Sequence, residues 1–404
     1  MKILFLSYWE IEDGLTSATI FPHLRILAES DKVASITFCS VERTSATLTP
    51  ATLGIPKVTH VPLSDPTTNS NPIKRLFGFL NLSKQLSIFV SKHPVDKVIC
   101  RSATAGALGF RLHQQTGVAF HVESFEPHGA YMLESGVWSR WDPRYLLQQH
   151  WEKKQKKYAT SLQTVSNNYL KCLQQEGVPD EKLDVIPCAT DLDAFGFSIS
   201  SRERVRKKIG LSEERVVGVY LGKFGDIYYD EDAFAIFQQA FDQIGPDFFL
   251  LILTPHDAAF MNSRIKKFGI PANSIWFRKV PHTQVPEYLS AADFAFSLHK
   301  KTKWSFAFSP IKNGEYWANG LPIVLPKGVG DDDAIALEEE AGAVFDILVP
   351  NETTKAIDTI LNLIAKPGHR NRIALVAKRH RSFTIARQVY TKRHLIEHSS
   401  DSTN

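Results

Sequence analysis

Two kinds of apolar pattern alternate along this chain of 404 residues. Short, nearly continuous apolar runs such as Ile3–Ser7, Val33–Phe38 and Val216–Leu221 predict strands buried on both faces, as in parallel sheets. Between them, apolar positions recur three or four apart, the spacing of helices packed by one face. The opening sets the scheme. Strand Ile3–Ser7 runs into a loop, Tyr8–Thr16, that carries Asp13 and Gly14. A helix over about Ser17–Glu29 follows, with Ile20, Phe21, Leu24 and Leu27 at helical spacing. This is an α/β unit, but its loop is not GxGxxG, so the dinucleotide fingerprint is absent.

The alternation continues. Strands are predicted at Val58–Pro62 (inside a Ser-, Thr- and Pro-rich loop, Thr44–Asn71), Lys97–Cys100, Val118–Val122, Ser161–Val165 and Leu183–Ile186. Helices are predicted at Pro72–Lys92, Thr104–Gln115, about Pro143–Tyr158 and Asn167–Gln175, which completes a doubly wound half. Phe195–Arg204 loses the periodicity and gains serine, as a linker does. A second series has strands at Val216–Leu221, Phe248–Leu253, Ser274–Phe277, Asp293–Ser297, Leu321–Leu325 and Ala343–Asp346. Its helices lie near Asp232–Gln243, Ala258–Phe268, Gln284–Ala291, Pro310–Asn319 and Thr353–Ala365. A basic helix, Ser382–Ile396, closes the chain, and Glu397–Asn404 is expected to be disordered. Two Rossmann-like halves predict an interdomain cleft as the ligand site.

Composition narrows the class. A hydrophobic share of 43% with 22% charged residues is that of a soluble globular protein. A net charge of +4 is too small to argue for nucleic acid; it suits an anionic substrate or membrane surface. No apolar run reaches the length of a membrane span, and MKILFLSYWE is too short for a signal peptide. The expectation is a cytoplasmic protein whose membrane contact, if any, is peripheral. Cys39, Cys100, Cys172 and Cys188 form no CxxC pair and read as buried, reduced thiols. Helix Pro72–Lys92 places Lys74, Arg75, Lys84 and Lys92 beside many apolar residues. That pattern suits a membrane-surface helix or a core helix with a solvated basic face, and the core helix is the expectation.

Two stretches carry candidate chemistry. In SPIKNGEYWANGLPIVLP (Ser309–Pro326), Ser309 reads as a helix cap and Pro310 as the first helical residue. Gly320 ends the helix, and Leu321–Leu325 is the next strand. Lys312 and Glu315 are three apart and share a face near free helix amides. The arrangement suits a nucleoside diphosphate: cation and amides for phosphate, carboxylate for ribose hydroxyls. It equally suits an ordinary capped helix with a surface Lys–Glu pair. The second stretch, YLGKFGDIYY (Tyr220–Tyr229), follows a strand. Gly222 and Gly225 there permit a sharp turn, and Lys223 stands where open α/β sheets bind ligands. Its bland reading is a glycine turn with an exposed lysine.

Taken in order, YLGKFG, then VPEYLSAADFAFS (Val285–Ser297), then SPIKNGEYWANGLPIV resemble the C-terminal domain of family-4 retaining glycosyltransferases. Leu162–Phe195 is similar to that family's segment entering the interdomain linker, and the resemblance is strongest over Leu162–Asp331. It implies a GT-B fold, with two facing Rossmann-like domains over 1–194 (acceptor side) and 195–381 (nucleotide-sugar side). It also implies that the terminal helix, about 382–396, packs back on the first. Lys223 takes the first basic position, usually arginine, and Tyr228 or Tyr229 stands near the usual second lysine. Glu315 matches the ribose-binding glutamate, whereas Ala307 replaces the glutamate that addresses the sugar. Gly14, Gly225, Ser309 and Lys312 complete the implied donor set, with the helix amides.

In the first half the resemblance points to His128 as a cleft-facing histidine, with Glu126 beside it as the candidate catalytic pair. Glu123 and Glu126 admit a glycosidase-like carboxylate pair, but acceptor binding fits a two-Rossmann chain better. Glu123 is therefore an acceptor candidate; Arg101, which follows a strand end, is a second for an anionic acceptor, with a surface salt bridge as its bland reading. Asp331–Asp333 contain a DxD pattern; after GVG and before a helical run it reads as an N-cap, so no metal or other cofactor is expected. His256, His282 and His299 show no ligand spacing.

The implied activity is transfer of a hexose-type sugar from a UDP- or GDP-sugar to a glycan or lipid-linked acceptor, in bacterial surface polysaccharide synthesis. A GT-B nucleotide-sugar epimerase and a catalytically silent nucleotide-sugar-binding protein are the alternatives.

Overall fold

The computed structural model describes residues 1–44, 48–67 and 72–395. The expected disorder of Glu397–Asn404, and parts of the Thr44–Asn71 loop, lie outside the described residues. The chain forms two units, Met1–Pro187 with Phe383–Asn404 and Cys188–Ser382. The first division thus falls at 187/188 rather than 194/195. Residues 188–190 are tied into the second unit: the Cys188 amide donates to Ser309 Oγ at 3.0 Å and the Thr190 amide to the Arg381 carbonyl at 2.8 Å.

In unit 1, β1 (Lys2–Ser7), β2 (Ser35–Glu42), β3 (Val58–Ser64), β4 (Lys97–Arg101), β5 (Ala119–Glu123), β6 (Ser161–Thr164) and β7 (Leu183–Val185) form one sheet. Its order is β3-β2-β1-β4-β5-β6-β7, and every pairing is parallel. Unit 2 holds β8 (Val216–Leu221), β9 (Phe248–Leu253), β10 (Ile275–Arg278), β11 (Phe294–Phe296), β12 (Ile323–Pro326) and β13 (Gly342–Phe345), ordered β10-β9-β8-β11-β12-β13 and again all parallel. Side chains alternate across each strand, which is why these sequences are apolar throughout. Val217, Val219, Leu251 and Leu253 enter one core of unit 2, and Tyr220, Leu250 and Ile252 enter the core on the opposite face.

Four sequence expectations change. The helix expected over Ser17–Glu29 is two, Gly14–Thr19 and Phe21–Ala28, because Pro22 lacks an amide and sits in the first turn of the second. The expected linker contains a helix, Ile199–Lys208: Ser198 Oγ caps it through the Ser201 amide, and buried Arg206 reaches Asp293 at 2.8 Å. Helix His369–His380 was not anticipated; its buried stripe is only Ile373, Val376 and Ala377. The closing helix ends at Tyr390 and widens to a π turn, Thr391–Leu395. It packs on Phe21–Ala28, where Tyr390 Oη lies 2.6 Å from His23 Nδ1.

Helix Pro72–Lys92 buries Phe79, Leu82, Leu86 and Val90, as a core helix does. Its outer face is not simply basic: Leu76, Phe77, Leu80 and Ile88 are exposed there. Among the described residues no helix is long and apolar enough to cross a membrane. The four cysteines are unpaired, with Cys39 and Cys100 buried and Cys172 and Cys188 half-buried.

Candidate functional site

In unit 2 the chain leaves β8 toward β9 on one side and leaves β11 toward β12 on the other. This is the switch point of a doubly wound sheet, where the crevice beyond the strand ends takes ligands. The loops after β8 and β11 are joined there. Tyr228 and His299 form an antiparallel bridge, and the Tyr229 amide donates to the Leu298 carbonyl at 3.0 Å.

The β8 loop folds sharply because Gly222 (φ +138°) and Gly225 (φ +86°) adopt conformations other residues resist. Phe224 anchors it from below. Its ring stacks on Tyr220 at 4.6 Å between centroids, and its amide donates to His256 Nε2 at 2.9 Å. Lys223, one residue earlier, is left exposed and pairs with Asp226 at 2.6 Å.

Helix Ile311–Ala318 presents the other half of the site. The Leu221 amide donates to Tyr316 Oη at 2.8 Å, which docks the helix on the end of β8. Lys312 lies one turn before Tyr316, and Glu315 follows Lys312 by three residues. Lys312 Nζ stands 4.1 Å from the centre of the Tyr228 ring, a cation–π contact. It also fills the space over Gly222, where a Cβ would lie 2.2 Å from it. Burial lowers the Lys312 pKa to about 8; Glu315 opposes the shift and Lys223 adds to it. Glu315 is 5% exposed, and its Oε1 lies 2.9 Å from His282 Nε2. Tyr228 therefore faces Lys312, whereas Tyr229 lies in the core.

Ser309 is not the helix cap. Pro310 holds that position and no side chain caps the helix. The Ser309 hydroxyl is taken by the Cys188 amide and the Arg381 guanidinium. Ala307 is buried in a 3-10 turn, Ser305–Ala307. No aspartate side chain caps the helix Asp332–Glu338 either. Asp332 is buried against Arg381 and Asn313, and Asp333 accepts from the Gly328 amide at 2.8 Å. Among the described residues no three His, Cys, Asp or Glu side chains gather as a metal site.

Three histidines that show no ligand spacing in the sequence lie around the site. His256, His282 and His299 lie three, four and three residues beyond the ends of β9, β10 and β11. That common offset was the available signal, since strand ends converge at the crevice. His256 holds the glycine turn, and the ring of buried His299 lies tilted against Tyr228 at 4.6 Å between centroids. Burial, with Lys312 nearby, lowers the His299 pKa to about 3, so its ring is neutral.

In unit 1, Gly14 opens the helix Gly14–Thr19 with free space beside its α-carbon. His128 Nδ1 lies 3.2 Å from Glu126 Oε1, with both side chains partly exposed. Burial disfavours the charged imidazole, but the bond to Glu126 and the nearby Glu152 raise its pKa overall. Glu126 and His128 are thus a coupled, accessible pair. Arg101 and Glu123 are not acceptor groups: both are buried and paired with each other at 3.1 Å. They end the adjacent strands β4 and β5 in direct register, which brings the two side chains together.

No family model matches the chain, and no curated protein sequence matches it. Solved structures do. Sucrose-phosphate synthase from Thermosynechococcus elongatus is similar over 97% of this chain and 98% of its own, with TM-score 0.78 and 16% identity. HepE from Anabaena, in complex with UDP, is similar over 98% and 100%, with TM-score 0.70 and 16% identity. WaaG, a glycosyltransferase involved in lipopolysaccharide biosynthesis, is similar over 97% and 99%, with TM-score 0.65 and 15% identity. What they share with this chain is the fold: two Rossmann-like domains of GT-B type.

Proposed function

We propose that the chain is a retaining glycosyltransferase that takes a nucleotide-sugar donor on unit 2. The observation that carries this reading is Lys312 held over Gly222 and against Tyr228 at the sheet switch point, with Glu315 one helical turn away. The ammonium and the glycine turn suit a diphosphate, and the carboxylate suits a ribose diol. Lys223 adds a mobile second cation once phosphate draws it from Asp226. Structures of the same fold that hold UDP and UDP-glucose favour a uridine donor. Catalysis then rests on position and electrostatics. The donor phosphate serves as base toward the acceptor, and Glu126 with His128 is an accessible pair on unit 1 suited to an acceptor hydroxyl. No metal enters this scheme.

A thermal-shift series with UDP-, GDP- and ADP-sugars tests it. One class at a hundredfold excess over Kd is expected to stabilise the protein by about 2.7 kcal/mol, a rise in Tm of roughly 5–10 °C. Glu315→Ala removes most of that rise; an unchanged rise takes Glu315 out of the site. Slow UDP release from the donor supports transfer, whereas acceptor-free conversion of the sugar supports an epimerase. Binding without either reaction supports a silent binding protein.

The exposed surface of unit 1 favours a lipid-linked acceptor, met at the inner face of a bacterial membrane. Helix Pro72–Lys92 contains no acidic residue, and Phe77 is 66% exposed beside Leu76 and Leu80. Trp141 is 82% exposed, and Arg75 acts on the neighbouring Asp142. Apolar side chains among cations suit an anionic bilayer. Phe77→Glu with Trp141→Ala is expected to weaken binding to phosphatidylglycerol-containing vesicles about tenfold or more. Equal binding by both proteins, or equal binding to neutral vesicles, excludes this surface.

A further inference from the structure

The Glu315 carboxylate is buried, and among the described residues its side-chain hydrogen-bond partner is an imidazole that is itself 62% exposed. We infer that His282 is a positioning residue for Glu315: it commits one carboxylate oxygen and turns the other toward the 2′,3′-diol of a nucleoside diphosphate. The inference rests on the nucleotide-binding reading above.

The geometry supports the role from both sides. Glu315 sits in a helix whose neighbours are spoken for: Asn313 binds Asp332, and Tyr316 receives the Leu221 amide. Its backbone is therefore fixed, and only rotation about the side-chain bonds is free. Left alone, a carboxylate at the mouth of a crevice samples several rotamers, and each ligand bond must bear the cost of selecting one. His282 Nε2 at 2.9 Å selects it in advance. The imidazole is in turn oriented by Phe195, whose buried ring lies 5.3 Å away. His282 also begins the turn His282–Gln284, which leads directly into the helix Val285–Ala291. An exposed polar side chain held this way adds little to folding. Its position is explained by what it does to Glu315.

The inference separates His282 from a merely structural residue, because its effect must depend on the ribose hydroxyls. Titration calorimetry with UDP and with 2′,3′-dideoxy-UDP, on wild type, His282→Ala, Glu315→Ala and the double variant, measures this. His282→Ala is expected to weaken UDP about tenfold, the weight of one charge-assisted bond, and to leave dideoxy-UDP within about twofold. In the Glu315→Ala background the His282 substitution is expected to have no further effect. His282→Gln, whose amide can also donate to Glu315, is expected to recover most of the loss. Equal losses for both ligands, or additive losses in the double variant, would overturn the inference while leaving the nucleotide site intact. Failure of UDP to bind the wild type would overturn both.

Discussion

Lys312→Met is expected to weaken UDP binding by about 10–100-fold and, in the same protein, to raise the stability of the empty state. The two effects have one origin. The ammonium is partly buried between the Tyr228 ring and Gly222, and burial lowers its pKa to about 8. An unfolded lysine titrates near its ordinary value, so folding weakens proton binding at this site. The cost is fully present below pH 8, where both states carry the proton. It is relieved as pH rises from about 8 toward 10.5, where only the unfolded chain holds the proton. Methionine removes the charge and keeps the stem, so the empty variant gains about 1–3 kcal/mol at neutral pH. Chemical denaturation at pH 7 and pH 9.5 checks this: the gain is expected to shrink at the higher pH. UDP affinity of the wild type is expected to fall above about pH 8, and bound phosphate shifts that step upward by favouring the cation. Equal stability of the two proteins at pH 7, with unchanged affinity, removes Lys312 from the site.

Asp332→Ala and Arg381→Ala are each expected to destabilise unit 2 by about 3–5 kcal/mol. Asp332 and Arg381 are paired in the core; Asn313 donates to the second carboxylate oxygen at 2.7 Å, and Arg381 also reaches Ser309 and lies 5.8 Å from the Trp317 ring. The pair joins the start of helix Asp332–Glu338 to the end of His369–His380 and to the site helix. Removing one partner strands a charge in the core. Burial already holds the Asp332 carboxyl above its usual pKa despite Arg381. Replacing both, as Asp332→Leu with Arg381→Met, is expected to recover much of the loss, since a well-packed apolar pair avoids desolvation. Urea unfolding of the four proteins gives the coupling directly. A loss under about 1 kcal/mol in both single variants contradicts the account. It also explains the DxD pattern: the middle aspartate serves the fold.

The glycine turn and the site helix were legible at the level of residues. Lys223, Lys312 and Glu315 stand out as candidates, although the same residues equally suit a glycine turn with an exposed lysine and a capped helix with a surface Lys–Glu pair. Their partners were not legible. Nothing in the neighbours of Lys312 along the chain says that it rests on Tyr228, 84 residues earlier, and over Gly222. Ser309 was assigned a cap from local pattern, yet Arg381 and Cys188 claim its hydroxyl. Arg101 resembles a ligand group because it follows a strand end, and Glu123 because it pairs in sequence with Glu126. Only the register of β4 with β5 shows that they are buried and paired with each other.

By itself, then, the sequence determined the strands, the repeated α/β units and the residue types available for chemistry. These follow from local physics: burial on both strand faces demands continuous apolar runs, and a helix packed on a sheet demands a stripe. The tertiary structure decided which polar groups are offered and which are consumed. That depends on partners far apart in sequence, such as His282 with Glu315 and Arg381 with Asp332. A hydrogen bond or ion pair across that distance leaves no periodic trace, because it requires only that two side chains meet once the sheet order brings their loops together.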